Sequence, residues 1–234
     1  MDLPHGLPAE ELTAMDAIQL DMGAHGTVGA RVVRPAAARA ALVLAHGAGA
    51  GMEHPFMRAV AEGLGKRGIA TLRYQFPYME RGSKRPDAPA VAQAAVRAAA
   101  ARGAQLFGGL PLFAGGKSFG GRMTSQAQAA EPLPGVRGLA FLGFPLHAAG
   151  QPGDARAKHL AEVEVPMLFL QGTRDALADA ALMEALCGRL GESATLASFE
   201  GADHSFHVPA KSGRSDAEVL AAVLDTMASW MSTH

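Results

Sequence analysis

Ser118 lies in the pentapeptide Gly116-Lys117-Ser118-Phe119-Gly120, between an apolar run, Leu110 to Ala114, and a helix-like one, Arg122 to Ala130. A serine on a sharp strand-to-helix turn presents its hydroxyl as a nucleophile, and the turn is so tight that side chains two residues to either side would collide. Gly116 and Gly120 supply those gaps. The chemistry also needs an imidazole to take the serine proton and return it to the leaving group, and a carboxylate to hold the ring and stabilise its charged form. Asp175 stands just past a second apolar run, 165 to 170, in Gln171-Gly172-Thr173-Arg174-Asp175. His204 follows a last short run, 194 to 199, in Gly201-Ala202-Asp203-His204-Ser205. Blander readings exist for each. Ser118 could simply cap the following helix, His204 could be a loop histidine, and Asp203 or Asp179 compete with Asp175. Asp203, adjoining His204 in sequence, is poorly placed to reach the ring from behind.

A tetrahedral oxyanion needs two aimed donors. The loop His46-Gly47-Ala48-Gly49-Ala50-Gly51 ends an apolar run, 41 to 45, and its small residues leave backbone N–H groups uncovered. The expected donors are the backbone N–H of Phe119, the residue after the nucleophile, and of Ala48, with Gly49 as the alternative. His46 is expected to fix this loop. Tyr74, Phe76, Tyr78, Phe144 and Leu146 follow predicted strands at the same edge and are candidate pocket walls, with core packing as the competing role for each, and His54 and His147 are candidate substrate-binding residues at the rim. Arg122, one helical turn past Ser118, could anchor a substrate carboxylate or pair internally. Lys117 is expected to point away from the serine and to take no part in the chemistry.

Other chemistries fit less well. Gly116-Lys117-Ser118 mimics the end of a phosphate-binding loop, but the first glycine of that loop would fall at Pro111. Gly47-Ala48-Gly49 has Met52 where a dinucleotide fingerprint needs its third glycine. Histidines 46, 54, 147, 204 and 207 lack zinc-ligand spacing, so neither metal nor cofactor is expected. Cys187, the sole cysteine, sits at helical apolar spacing and reads as core, and no disulfide can form within the chain.

To position these residues the chain offers apolar runs at 16–21, 27–34, 40–45, 69–74, 111–116, 137–142, 165–170 and 194–199, all read as strands. Helical segments are expected at 55–66, 88–101, 119–130, 179–190 and 216–231. Alternating strands and helices imply an α/β fold, a mostly parallel sheet of seven or eight strands covered on both faces, with the first two strands as an antiparallel edge. Ligands of such sheets bind beyond the carboxyl ends of the strands, where Ser118, Asp175 and His204 all fall. The segment 147–159 is too short for a substantial lid.

With 234 residues and no linker-like stretch, one domain is expected. The net charge of −1 offers no basic surplus for nucleic acid, and no apolar run approaches the roughly 20 residues that span a bilayer. The first residues lack the pattern of a signal peptide, so a cytoplasmic location is expected. A homodimer is left open, because apolar interface and core cannot be separated in one sequence.

The order Ser118, Asp175, His204 is that of α/β-hydrolases. The chain resembles the dienelactone hydrolase-like group of that superfamily, and within it the subgroup related to testis-expressed protein thirty. The resemblance rests on His46-Gly47-Ala48-Gly49-Ala50, Phe76-Pro77-Tyr78, Gly115-Gly116-Lys117-Ser118 with Gly120-Gly121-Arg122, Leu142-Gly143-Phe144-Pro145-Leu146-His147, Gln171-Gly172-Thr173-Arg174-Asp175 and Asp203-His204-Ser205. It implies hydrolysis of a small or medium carboxyl ester, with thioesters and lactones as neighbours. Dienelactone hydrolases proper carry a cysteine nucleophile, and Ser118 departs from that pattern. A non-catalytic binding module on the same fold is the alternative. In an ester-hydrolysis assay, Ser118→Ala is expected to lose nearly all turnover while folding normally, and Asp175→Asn to cost more than Asp203→Asn. An equal loss from the Asp203 change would reassign the acid.

Overall fold

The computed structural model describes residues 12–234. Its centre is one eight-stranded sheet in the order β1-β2-β4-β3-β5-β6-β7-β8. The strands are β1 (Leu12–Asp21), β2 (Thr27–Pro35), β3 (Ala40–Ala45), β4 (Ile69–Tyr74), β5 (Leu112–Lys117), β6 (Val136–Leu142), β7 (Met167–Gly172) and β8 (Ala194–Phe199). β1 pairs antiparallel with β2, and β2 antiparallel with β4; every other pairing is parallel. Parallel neighbours need crossovers, supplied by α1 (Pro55–Gly65), α3 (Pro89–Leu106), α4 (Phe119–Ala130) and α5 (Ala180–Leu190); α2 (Pro77–Glu80) is a single turn and α6 (Asp216–Thr233) closes the chain.

Strand alternation divides the interior into two cores. Leu42 and Leu44 of β3 point to the face covered by α1 and α6, where they join Met57, Val60, Val223 and Met227. Val43 and Ala45 point to the opposite face, covered by α3, α4 and α5. The alanine-rich α3 buries Ala92, Ala95, Ala99, Ala100 and Gly103, small residues that let the helix lie close to the sheet. A Cβ on Gly103 would fall 2.7 Å from the Val43 side chain. α3 runs past its expected end at 101, and Gly103, inside that extension, is a point of close contact with the sheet.

Several strands shift from their expected bounds: β1 begins at Leu12 rather than 16, β2 and β6 each gain one residue, and β5 and β7 move towards the site. β5 runs to Lys117 and β7 to Gly172 because their neighbours keep pairing, Lys117 opposite Leu142 and Gly172 opposite Phe199. Both extensions lead directly into the site. Between β6 and β7 the chain carries only a 3-10 segment, Ala155–Glu162, packed against α4. The closing helix begins at a reciprocal cap, in which the Ser215 hydroxyl accepts from the Glu218 N–H and the Glu218 carboxylate accepts from the Ser215 N–H. Among the described residues no helix is long and apolar enough to cross a membrane.

Phe169 of β7 is fully buried, with its ring centroid 5.0 Å from that of Phe141 and 5.8 Å from that of Phe144. Phe169→Ala is expected to lower unfolding free energy by about 3–5 kcal/mol in urea denaturation. A loss below about 1 kcal/mol would show that this core can collapse around the gap.

Candidate active site

The elbow is built by exclusion. Ser118 has φ 51° and ψ −114°, a conformation that costs a non-glycine residue about 1–3 kcal/mol. A Cβ on Gly116 would fall 2.3 Å from the Ala45 carbonyl oxygen, and one on Gly120 2.5 Å from that of His46. Only glycine permits the turn to sit this close to the end of β3. The Ser118 side chain makes no capping hydrogen bond to α4. Its Oγ instead lies 2.9 Å from His204 Nε2, to which it can donate.

His204 Nδ1 donates to Asp175 Oδ2 at 2.7 Å. The Asp175 carboxylate is buried, and its desolvation is offset by two further donors, Gln171 Nε2 to Oδ2 at 2.5 Å and the Leu177 N–H to Oδ1 at 2.8 Å. The competing acids are occupied elsewhere. Asp203 Oδ1 accepts from the N–H groups of Ser205 and His207 and so shapes the histidine turn, while Asp179 caps α5 through the Leu182 N–H. Structure thus brings Ser118, His204 and Asp175 into one hydrogen-bonded line.

The two sides of the expected oxyanion site also meet. Phe119 opens α4, so its N–H has no partner within the helix. In the opposing loop the Gly49 N–H donates to the Tyr78 hydroxyl at 3.1 Å, which removes Gly49 from contention and leaves Ala48. His46 ties this loop down: its Nδ1 donates to the Gly47 carbonyl at 2.8 Å and its Nε2 accepts from the Phe76 N–H at 3.1 Å.

A cavity of about 400 Å³ opens beside Ser118 and His204, with Ala48, His54, Phe56, Met57 and Leu177 among its walls. Of the expected pocket residues only His54 lines it. Phe76, Tyr78 and Leu146 are buried and take core roles, because α2 folds their segment inward beneath the oxyanion loop and the Leu146 N–H is held by the Leu177 carbonyl. His147 is mostly buried as well; its Nδ1 donates to Ala148 O and its Nε2 accepts from the Asp179 N–H. Phe56, Met57 and Leu177 escaped the sequence reading, although Phe56 and Met57 open the helix that follows the glycine loop.

Lys117 also departs from expectation. Its stem reaches the cavity wall, and its Nζ donates to the His204 carbonyl at 2.6 Å, so the residue beside the nucleophile holds the histidine turn. Burial pushes its amine down to about 8, against the opposing pull of Asp175 and Asp203. Arg122 is half-buried with no carboxylate partner among the described residues; burial and the nearby Arg156 charge both lower its affinity for its proton. Burial pushes the Cys187 thiol up to about 11, which keeps it protonated and inert. Among the described residues no group of three or more His, Cys, Asp or Glu side chains could hold a metal ion.

Residues 38–232 match the alpha/beta hydrolase domain family, and the chain belongs to it. A lid-less α/β serine hydrolase from Xanthomonas campestris superposes with a TM-score of 0.73 at 22% identity, over 93% of this chain and 95% of that one. Dienelactone hydrolase from Anabaena variabilis gives 0.75 at 21% identity, over 94% and 98%. The esterase domain of a Rhodothermus marinus protein gives 0.68 at 16%, over 93% and 98%. At these identities the likeness establishes the fold, an α/β-hydrolase with a minimal lid.

Burial also makes the loop anchor sensitive to acid. It pushes His46 down to about 4 from an ordinary 6.5, the contact with the Gly47 carbonyl acting the other way. Between those values the unfolded chain binds a proton that the folded chain does not, so stability is full above about pH 6.5 and is lost as pH falls towards 4. His46→Gln is expected to flatten that limb of a stability–pH curve by up to about 1.4 kcal/mol per pH unit. Identical slopes in the two proteins would place the acid sensitivity elsewhere.

Proposed function

We propose that this chain is a serine hydrolase of small or medium carboxyl esters, with thioesters and lactones as related substrates. The observation that carries the reading is the unbroken line from Ser118 Oγ through His204 to a buried, fully hydrogen-bonded Asp175, ending on a strained elbow beside a cavity. Ser118 Oγ attacks the acyl carbon as its proton passes to His204 Nε2. The oxyanion is received by the N–H groups of Phe119 and Ala48. His204 then protonates the departing alcohol, leaving an acyl group on Ser118. Water, deprotonated by His204, attacks that acyl group and regenerates the serine. Asp175 stays ionised throughout and stabilises the imidazolium.

Phe56, Met57 and Leu177 give the cavity an apolar wall suited to a short acyl chain. The motif blocks that resemble the testis-expressed protein thirty subgroup support a place in the dienelactone hydrolase-like group, with serine rather than cysteine chemistry. A cytoplasmic location accords with this reading.

Labelling with a fluorophosphonate probe, read by intact mass, tests the proposal. A single adduct is expected on the wild-type protein and none on Ser118→Ala or His204→Ala. A folded wild-type protein that takes no adduct would overturn it in favour of a binding module.

A further inference from the structure

We infer that Lys117 is a positioning residue for His204: its ammonium clamps the turn that carries the imidazole, so that turnover depends on its positive charge even though that charge lowers stability. This deepens the hydrolase reading and rests on it.

The turn needs a clamp. Residues 203–207 are closed by their own backbone, the Asp203 N–H donating to the His207 carbonyl at 2.9 Å and the Phe206 N–H to the Asp203 carbonyl at 3.0 Å. Phe206 holds φ 62°, a left-handed conformation that is unfavourable for a bulky side chain. The His204 carbonyl takes no part in those bonds, and among the described residues its only donor is Lys117 Nζ, at 2.6 Å. The same amine stands 5.9 Å from the centre of the Phe206 ring. Gly143, the residue after β6, approaches so closely that a Cβ there would fall 3.0 Å from Nζ and 3.4 Å from the His204 ring. Because Lys117 precedes Ser118, the clamp ties the base to the nucleophile's own strand end, and His204 Nε2 is kept 2.9 Å from Ser118 Oγ. A small displacement of that ring would be costly to proton transfer.

The stem of Lys117 lines the cavity and is partly exposed, whereas its amine end is withdrawn from solvent. The acids that face it are Asp175, just past β7, and Asp203, in the histidine turn, and both are engaged by other donors. His204, the remaining titratable group of the turn beside it, has both ring nitrogens bonded, to Asp175 and Ser118. Gly47 and Gly143, packed on the other sides, carry no charge. Burial draws the amine down to about 8 from 10.5. Between those values the unfolded chain holds a proton that the folded chain lacks, so this group's share of stability is full above 10.5 and is lost as pH falls to about 8. At neutral pH the folded protein therefore bears the whole penalty of a desolvated ammonium. Methionine would fill the same space without it. The amine is explained by the carbonyl it holds rather than by the fold.

Lys117→Met keeps a stem in the cavity wall and removes the charge. With p-nitrophenyl butyrate as substrate, kcat is expected to fall about tenfold or more and KM to move less than about twofold. The melting temperature at neutral pH is expected to be unchanged or raised. In the wild-type protein kcat should decline as pH rises past about 8 while stability, measured relative to the variant, increases over the same range; the variant's kcat should lack that decline. Lys117→Gln, which keeps a neutral N–H donor, is expected to fall between the two in kcat and to lack the alkaline decline, and it carries the test if the methionine variant does not fold. Unchanged kcat in a folded variant, a loss of kcat matched by a loss of melting temperature, or an alkaline decline that persists in the variant overturns the clamp and leaves the hydrolase reading standing. Absence of turnover together with absence of fluorophosphonate labelling in the wild-type protein is failure of the hydrolase reading instead. The clamp then stands or falls on the downfield proton resonance of the His204 Nδ1–H donated to Asp175. That signal is expected to shift or broaden in Lys117→Met, and an identical signal in the two proteins overturns the clamp.

Discussion

The close approach between the end of β3 and the nucleophile turn constrains the rest of the site. The carbonyl groups of Ala45 and His46 occupy the space that side chains at 116 and 120 would need, so the turn meets the strand backbone to backbone. Because the chain leaves β3 straight into the glycine loop, one contact places both the serine and the loop that shares its cavity. The strained φ at Ser118 persists because the structure on either side determines it: its N–H donates to the Leu142 carbonyl, and its carbonyl accepts from the Arg122 N–H. Aromatic packing of Phe119 against Phe76 and Tyr78 joins the first turn of α4 to the underside of that loop.

Charge within this tight frame is handled by specific partners for three groups near the serine. Asp175 is buried, and three donors reach its two oxygens. His46 does the opposite: it stays neutral and serves as a two-sided connector, donating on one side and accepting on the other. Lys117 lies between these cases, with an ammonium held against the His204 carbonyl and a stem that forms part of the cavity wall. The three groups use different chemistry for one result, a histidine turn and an oxyanion loop that need not rearrange as charge develops.

The architecture was legible in the sequence because strand and helix periodicities change cleanly at glycine and proline, and each strand that bears a site residue ends in a recognisable turn. Residues whose role depends on backbone position, such as Ser118 and Gly116, were readable for the same reason. Residues whose role depends on where a side chain points were not. Phe76 and Tyr78 follow a strand at the right edge, yet a single helical turn directs them into the core, and no spacing rule reports that turn. Lys117 occupies a position whose side chain ordinarily leaves the site, but its long stem lets the amine return to the histidine turn. Helix α3 shows the same limit at the level of a boundary, since it continues past 101 to Leu106 with Gly103 packed against Val43.

The short connection between β6 and β7 has a kinetic consequence. With only a 3-10 segment bridging the two strands, this connection holds no domain or long flap that has to swing before substrate enters or product leaves. Selectivity must then reside in a wall that is already formed when substrate arrives.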